Sequence, residues 1–132
     1  MGLPKKILLI DDDEINNFVA EEWVKQSGLE VRLMVMSDAF LALEYLKECA
    51  PHDFPDIILC DLSMPGYDGF DFLNQYETLY YLNNVQTQII MMSATLLDKD
   101  QKRLKAFSCI TAAMVKNTVQ ENFRMIKDNY LK

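Results

Sequence analysis

The stretch LLIDDDEINN, Leu8 to Asn17, joins an apolar run directly to four consecutive acids. A short, continuous apolar run such as 6–10 is typical of a strand that is buried on both faces of a sheet. Like charges about 4 Å apart repel by roughly 1 kcal/mol in water and by about 4 kcal/mol near a protein surface. The stretch therefore predicts a buried strand whose carboxyl end carries carboxylates that a cation must stabilise.

Beginning with this stretch, a predicted strand followed by a predicted helix occurs five times along the chain. We expect strands at 6–10, 31–36, 56–60, 88–92 and 112–115, and helices at about 14–27, after Ser37, at 70–81, 98–107 and from Thr118. Five strand–helix units in series predict an α/β fold with a doubly wound, five-stranded parallel sheet flanked by five helices. Helical spacing in the first helix predicts a packed face of Ile15, Phe18, Val19 and Trp23.

Composition narrows the class of protein. The chain has 132 residues, 50% of them apolar and 25% charged, and its net charge is −7. We expect a single domain over 1–132 with no output domain and no membrane span. An acidic chain is a poor partner for a phosphate backbone, so direct nucleic-acid binding is not expected. The three cysteines, Cys49, Cys60 and Cys109, are widely spaced, which indicates reduced thiols in a cytoplasmic protein.

Chemically active side chains follow four of the five predicted strands. Asp11 to Asp13 follow the first, Asp61 the third, Ser93 the fourth and Lys116 the fifth. In parallel sheets of this kind, ligands bind at the carboxyl ends of the strands, near the point where strand order reverses. If the first and third strands are neighbours, Asp12 and Asp61 lie one strand spacing apart, roughly 4.8 Å.

Two carboxylates at that distance require a cation or a proton between them. Oxygen ligands with open water positions suit Mg²⁺. A carboxylate beside Mg²⁺, with a lysine and a hydroxyl nearby, is equipped to accept a phosphoryl group as an aspartyl phosphate.

Four motifs lie, in this order, at the ends of the first, third, fourth and fifth predicted strands: IDDDEINN, CDLSMPGYDGFDFL, IIMMSA and VK. Together they resemble a two-component response-regulator receiver domain, and the likeness covers nearly the whole chain. The resemblance implies the flavodoxin/CheY-like strand order 2-1-3-4-5. It also implies a signalling phosphoacceptor, with at most self-catalysed phosphotransfer and autodephosphorylation, rather than an enzyme.

The resemblance assigns a role to each candidate residue. Asp61 would accept the phosphoryl group. Asp12 would bind Mg²⁺ directly together with Asp61 and the Ser63 carbonyl, and Asp11 would act mainly through a metal-bound water. The hydroxyl of Ser93 would hydrogen-bond a phosphoryl oxygen, and Lys116 would pair with the carboxylate and then with the phosphoryl group.

The resemblance also implies the partners. The phosphoryl donor would be a sensor histidine kinase or a histidine phosphotransfer protein. The downstream partner is unidentified, and the face of the fourth helix, fifth strand and fifth helix is its expected docking surface.

Three departures from the family pattern lead to predictions. Asn117 replaces the usual proline after Lys116, so we expect a trans peptide where the family has a cis bond. Ala113 replaces an aromatic residue, so phosphorylation must shift residues 93–107 without the usual hydroxyl–aromatic coupling. The segment 108–110 replaces a Gly-Ala turn, which predicts an irregular link before the fifth strand.

Other interpretations remain open. Asp13 and Glu14 favour the start of the first helix, where acids are stabilised by its dipole. A degenerate receiver would bind partners without phosphorylation. A haloacid-dehalogenase-like phosphatase would use Asp11-x-Asp13, but leaves Asp61 without a role. A flavodoxin is disfavoured because no phosphate-binding loop follows the first strand.

Overall fold

The computed structural model describes residues 4–131, so residues 1–3 and 132 of the predicted domain lie outside it. The described residues form the strands β1 (Lys5–Ile10), β2 (Val31–Met36), β3 (Ile57–Asp61), β4 (Gln88–Ser93) and β5 (Ile110–Val115). These five strands are parallel and form one sheet in the order β2-β1-β3-β4-β5, which confirms the predicted fold.

In the part of the chain that the structure describes, five α-helices alternate with the strands. They are α1 (Glu14–Ser27), α2 (Ala39–Glu48), α3 (Gly69–Leu79), α4 (Asp98–Leu104) and α5 (Val119–Tyr130), with short 3-10 turns at Pro51–Asp53 and Tyr81–Asn83. Both α3 and α4 end earlier than predicted. No helix within residues 4–131 has the length and apolar character needed to cross a bilayer.

Two hydrophobic cores cover the two faces of the sheet. The central strands are buried, and their alternating side chains supply both cores. One core packs Leu8, Ile58 and Met91 against α2, α3 and Leu104 of α4, and the other packs Leu9 and Ile90 against α1 and α5. Burial on both faces explains why β1, β3 and β4 are continuous apolar runs in the sequence.

The orientation of α1 differs from the sequence prediction. Ile15, Phe18 and Val19 are 78%, 63% and 43% exposed, whereas Ala20 is fully buried and Asn17 nearly so. The Nδ2 of Asn17 donates to the Asp11 carbonyl at 2.7 Å, which orients the first turns of α1. The predicted apolar face was therefore wrong for three residues. Trp23 does pack, because its ring stacks on Phe123 at 5.5 Å.

The helix N-termini are capped by side-chain oxygens. Asp13 accepts the Asn16 backbone N–H at the start of α1, which confirms its predicted structural role. Asp38 caps α2, so this helix begins at Ala39, one residue later than directly after Ser37. The Thr118 hydroxyl accepts the Glu121 N–H at the start of α5, the helix predicted to begin at this residue. The Lys116–Asn117 peptide is trans, as expected.

The entry to β5 is irregular, as predicted. Ile89 pairs with Ile110 and Ile90 with Ala112, so Thr111 is an extra residue in β5. Its hydroxyl accepts the Ile89 N–H at 3.1 Å and so replaces the interrupted ladder bond. The Glu77 carboxylate accepts the Cys109 N–H at 2.9 Å, which ties the end of α3 to the start of this bulge.

Candidate functional site

The parallel sheet brings four of the predicted residues to one edge. Asp61 and Ser93 end β3 and β4, while Asp11 and Lys116 directly follow β1 and β5. Asp11, Asp12 and Asp61 each offer a carboxylate oxygen, and the three oxygens lie within 4.8 Å of one another. Neighbouring strand ends therefore produce the acidic cluster that their sequence positions predict.

Asp11 is the most enclosed member of the cluster and is fully buried. One carboxylate oxygen accepts the Asp13 N–H at 2.9 Å. The other accepts the Asn16 Nδ2 at 3.0 Å and the Lys116 Nζ at 2.5 Å. Because both oxygens already have donors, Asp11 has little capacity left to bind a cation directly.

Two asparagines in this arrangement received no role from the sequence. Asn16 holds the Asp11 carboxylate, and Asn17 holds its carbonyl. Their position one turn after the acids was the available signal, because short polar side chains in a first helical turn often bond nearby backbone or acidic groups. They are positioning residues, since Asp11 is the member of the acidic cluster that they contact and hold in place.

Lys116 contributes one ammonium group to a cluster of three carboxylates. Its Nζ lies 2.5 Å from Asp11 and 3.4 Å from Asp61. Burial by itself would lower the pKa of Lys116, but the hydrogen bond and charge of Asp11, with a further contribution from Asp61, raise it overall. The lysine therefore stays charged and is shared by two acids, which leaves the cluster with excess negative charge.

Asp61 is 7% exposed and carries part of that excess. Burial raises the pKa of its carboxyl and repulsion from Asp11 adds to this, while Lys116 and the Ser63 N–H at 3.1 Å act in the opposite direction. The net shift is upward, so the groups present do not fully compensate the ionised form. A cation beside Asp61 would supply the missing compensation.

Ser93 is buried at the end of β4, and its hydroxyl already has an acceptor. It donates to the Thr95 carbonyl at 2.6 Å. The predicted contact with a phosphoryl oxygen therefore requires the hydroxyl to leave that acceptor. Such a rotation would directly affect the loop between β4 and α4.

The cluster fits a hard divalent cation. Its donors are all oxygens, and Asp12, unlike Asp11, is exposed and open to solvent. This difference agrees with the predicted division in which Asp12 binds directly and Asp11 through water. The backbone N–H of Ser63 bonds Asp61, and the ligand role of its carbonyl stays a prediction.

Gly69 keeps the loop after Asp61 close to the sheet. A Cβ atom at this position would lie 2.8 Å from the Asp61 carbonyl oxygen and 2.8 Å from the Leu62 Cα. The Gly69 N–H donates to the Leu62 carbonyl at 3.1 Å. The motif CDLSMPGYDGFDFL thus needs glycine here because α3 begins against the backbone that carries Asp61.

The histidine and the three cysteines do not belong to the acidic cluster. The side chain of His52 is 81% exposed. Cys60 is fully buried in the core, and burial raises its pKa well above the ordinary value. Cys49, Cys60 and Cys109 are all free thiols.

A doubly wound parallel sheet with acids at the carboxyl ends of β1 and β3 and a lysine after β5 defines a class of flavodoxin-like α/β domains with a polar site at one edge of the sheet. The family model described as "Response regulator receiver domain" matches residues 7–122. The chain therefore belongs to the response-regulator receiver family.

Individual relatives agree with this assignment. The "Regulator of RpoS" of Escherichia coli (strain K12) is 26% identical over an alignment of 145 positions, which covers 94% of this chain and 40% of that protein. The phosphorylated cyanobacterial phytochrome response regulator RcpA has a TM-score of 0.80 at 20% identity, covering 98% of this chain and 95% of that one. The Mn²⁺-bound response regulator Rcp1 has a TM-score of 0.77 at 21% identity, covering 98% and 96%.

The coverage and the sequence identity of each match limit what that comparison shows. The chain spans about 40% of the length of the Escherichia coli relative. The two solved structures are under 25% identical and show the fold alone.

Proposed function

We propose that this chain is a phosphorylation-activated signalling receiver that accepts a phosphoryl group on Asp61 from the phosphohistidine of a sensor kinase or phosphotransfer protein. The observation that carries the proposal is the cluster of Asp11, Asp12 and Asp61 with Lys116 at one edge of the sheet. An uncompensated carboxylate beside a shared lysine is suited to nucleophilic phosphoryl transfer.

In the proposed reaction, a carboxylate oxygen of Asp61 attacks phosphorus. The bond from phosphorus to the donor imidazole nitrogen breaks, and its electron pair stays on that nitrogen. Lys116, 3.4 Å from Asp61 before transfer, would pair with a phosphoryl oxygen afterwards. The Ser93 hydroxyl would leave the Thr95 carbonyl and donate to another phosphoryl oxygen.

Asp12, Asp61 and the Ser63 carbonyl would hold Mg²⁺, with Asp11 acting through water. When bound, the ion neutralises charge on the carboxylates and on the transferring group. The support is the all-oxygen donor set and the raised pKa of Asp61.

The exposed part of α1 provides a docking surface for the phosphoryl donor. Ile15, Phe18 and Val19 are exposed on the first turns of the helix that begins beside the acidic cluster. An apolar surface rimmed by polar residues marks an interaction site. A helix of the donor packed there would bring its phosphohistidine to Asp61.

The main alternative is a receiver that binds its partners without phosphorylation. Ala113 and Asn117 favour it, because both depart from the family pattern at the switch. A phosphatase of the haloacid-dehalogenase type is a weaker alternative, and steady turnover of a phosphate ester would support it over the receiver.

The deciding experiment is incubation with acetyl phosphate and Mg²⁺ followed by intact-mass measurement. We expect a labile gain of one phosphoryl group in the wild-type protein. Asp61→Asn should show no gain, whereas Asp53→Asn should behave as wild type, because Asp53 pairs with Lys6 at the amino end of β1, opposite to the cluster. No gain under any donor condition would favour the phosphorylation-independent receiver.

A further inference from the structure

Asn122 is a polar residue on the buried face of α5. The side chains of Val119, Phe123 and Ile126 form this face with it, and Asn122 is only 4% exposed. Asparagine forms helices less readily than alanine or leucine, and its amide is costly to bury without partners. A buried asparagine at this position therefore indicates a contact that an apolar residue could not make.

Both ends of the Asn122 amide bond the backbone of a single residue. Its Oδ1 accepts the Asn117 N–H at 2.9 Å, and its Nδ2 donates to the Asn117 carbonyl at 3.2 Å. A side-chain amide that is satisfied in this way loses little by leaving water. The two bonds fix the backbone of the residue that directly follows Lys116.

The backbone of Lys116 is held on both sides. Its own N–H donates to the Ser93 carbonyl at 2.7 Å, which fixes the peptide before it. The peptide after it is trans and is fixed through the Asn117 N–H. Because the two peptides that flank a Cα atom set its φ and ψ, the bonds to Ser93 and Asn122 determine the direction in which the lysine side chain leaves the backbone.

That direction places the ammonium beside two carboxylates. The Lys116 Nζ lies 2.5 Å from Asp11 and 3.4 Å from Asp61, and the lysine side chain is 15% exposed. A proline at position 117 would restrict its own φ through its ring and would have no N–H to donate. Asn117 lacks that ring, so the Asn122 side chain supplies the restraint from α5.

We propose that Asn122 is a positioning residue for the phosphoryl transfer. It fixes the peptide after Lys116 and so holds the ammonium where it pairs with Asp61 and then with the phosphoryl group. This role rests on the proposed receiver function, because a lysine that takes no part in transfer needs no such alignment. Asn122 acts through Asn117 and Lys116 rather than on the reacting atoms.

The first test is the rate of acetyl phosphate labelling of the full-length protein with Mg²⁺. Asn122→Ala removes both bonds to Asn117 and should slow labelling by at least about tenfold, because a displacement of about 1 Å at a reacting group costs up to about a hundredfold. Asn129→Ala is the matched control. Asn129, exposed on the same helix, also donates to a backbone carbonyl, that of Met125 at 2.9 Å, and its variant should label at the wild-type rate.

A double-mutant cycle separates positioning from a general loss of stability. Asn117→Pro removes the N–H that Asn122 accepts, so Asn122→Ala should slow labelling by less than about threefold in the Asn117→Pro background. Equal slowing by Asn122→Ala in both backgrounds would overturn the proposal. Ile126→Val trims a fully buried side chain on the same helix. It should label within about twofold of wild type, because the folded state remains the populated one.

Hydrogen exchange tests the contact in the wild-type protein, without any substitution. The Asn117 N–H should be protected, although this residue is exposed, because Asn122 accepts it. Exchange as fast as that of an unbonded loop amide would overturn the proposal.

The NMR signals of the Lys116 side chain provide a readout that does not depend on labelling. The ¹³Cε and ¹⁵Nζ signals should shift in Asn122→Ala and stay in place in Asn129→Ala. Unchanged Lys116 signals in Asn122→Ala would overturn the proposal even if labelling slowed. If the wild-type protein is never labelled, the phosphoacceptor proposal fails, and these signals still decide whether Asn122 positions the lysine.

Discussion

Three consecutive aspartates have different surroundings in this molecule. Asp11 is buried with both oxygens bonded, Asp12 is exposed, and Asp13 caps α1. The same type of side chain thus has three roles: Asp11 binds Lys116, Asp12 offers an oxygen that is open to solvent, and Asp13 caps a helix. The difference follows from the direction in which each side chain leaves the backbone as the strand changes into a helix.

Gly69→Ala should damage the site through the backbone. The added methyl group would press on the Asp61 carbonyl and the Leu62 Cα, both at 2.8 Å, so the loop or α3 must move. We expect a loss of about 1–3 kcal/mol in the free energy of unfolding, measured by urea denaturation. Labelling of Asp61 by acetyl phosphate should also slow.

Gly66→Ala is the comparison for that prediction. Gly66 has a φ of 78° but nothing within 4 Å of an added Cβ. The substitution should cost about 1–2 kcal/mol of backbone strain. Acetyl phosphate should label Gly66→Ala at the wild-type rate. Equal slowing in Gly66→Ala and Gly69→Ala would contradict a direct effect of the Gly69 substitution on Asp61.

At the scale of elements, α1 is held by its inner face and by Trp23 rather than by the apolar residues of its first two turns. Asn17 and Ala20 face the protein, Trp23 stacks on Phe123, and the first two turns present Phe18 to solvent. A helix anchored in this way can display an apolar surface next to the acidic cluster without losing its position.

Phe18→Ser should therefore change stability by no more than about 0.5 kcal/mol in urea denaturation, as is usual for surface substitutions. Phe123→Ala, which removes a ring that is 2% exposed, should cost about 3–5 kcal/mol. Acetyl phosphate labelling of Phe18→Ser should match wild type, because a small donor needs no docking surface. A large loss of stability in Phe18→Ser would show that α1 packs through this ring.

At the scale of the whole molecule, the charge distribution links metal binding to stability. The net charge is −7, and three carboxylates meet at one sheet edge. An ion that binds only the folded state stabilises it in proportion to the logarithm of its concentration.

Mg²⁺ should raise the free energy of unfolding by about 2.7 kcal/mol at one hundred times its dissociation constant. Thermal melting with MgCl₂, against NaCl of equal ionic strength, measures the specific part, because screening of the net charge is common to both salts. Asp12→Asn should remove most of the difference between the salts, and Asp128→Asn on α5 should preserve it. Identical melting of wild type in the two salts would argue against a metal site.

Much of the fold could be predicted because it depends on local patterns. Continuous apolar runs indicated β1, β3 and β4, and acids or Lys116 after the strands indicated a shared edge. The sequence did not indicate the rotation of α1, the cap at Asp38 or the early end of α4. Each of these depends on which neighbour competes for a side chain or a backbone group, and periodicity does not contain that information.

The sequence by itself determined the order of strands and helices and the set of polar residues at the strand ends, because parallel strands place their carboxyl ends together. The tertiary structure alone decided which partner each of those residues contacts. Lys116 approaches Asp11 more closely than Asp61, Ser93 points at Thr95, and Asn16 and Asn17 hold Asp11. Distances of a few ångströms between separate strands select these partners, and such distances exist only after the sheet and both cores have formed.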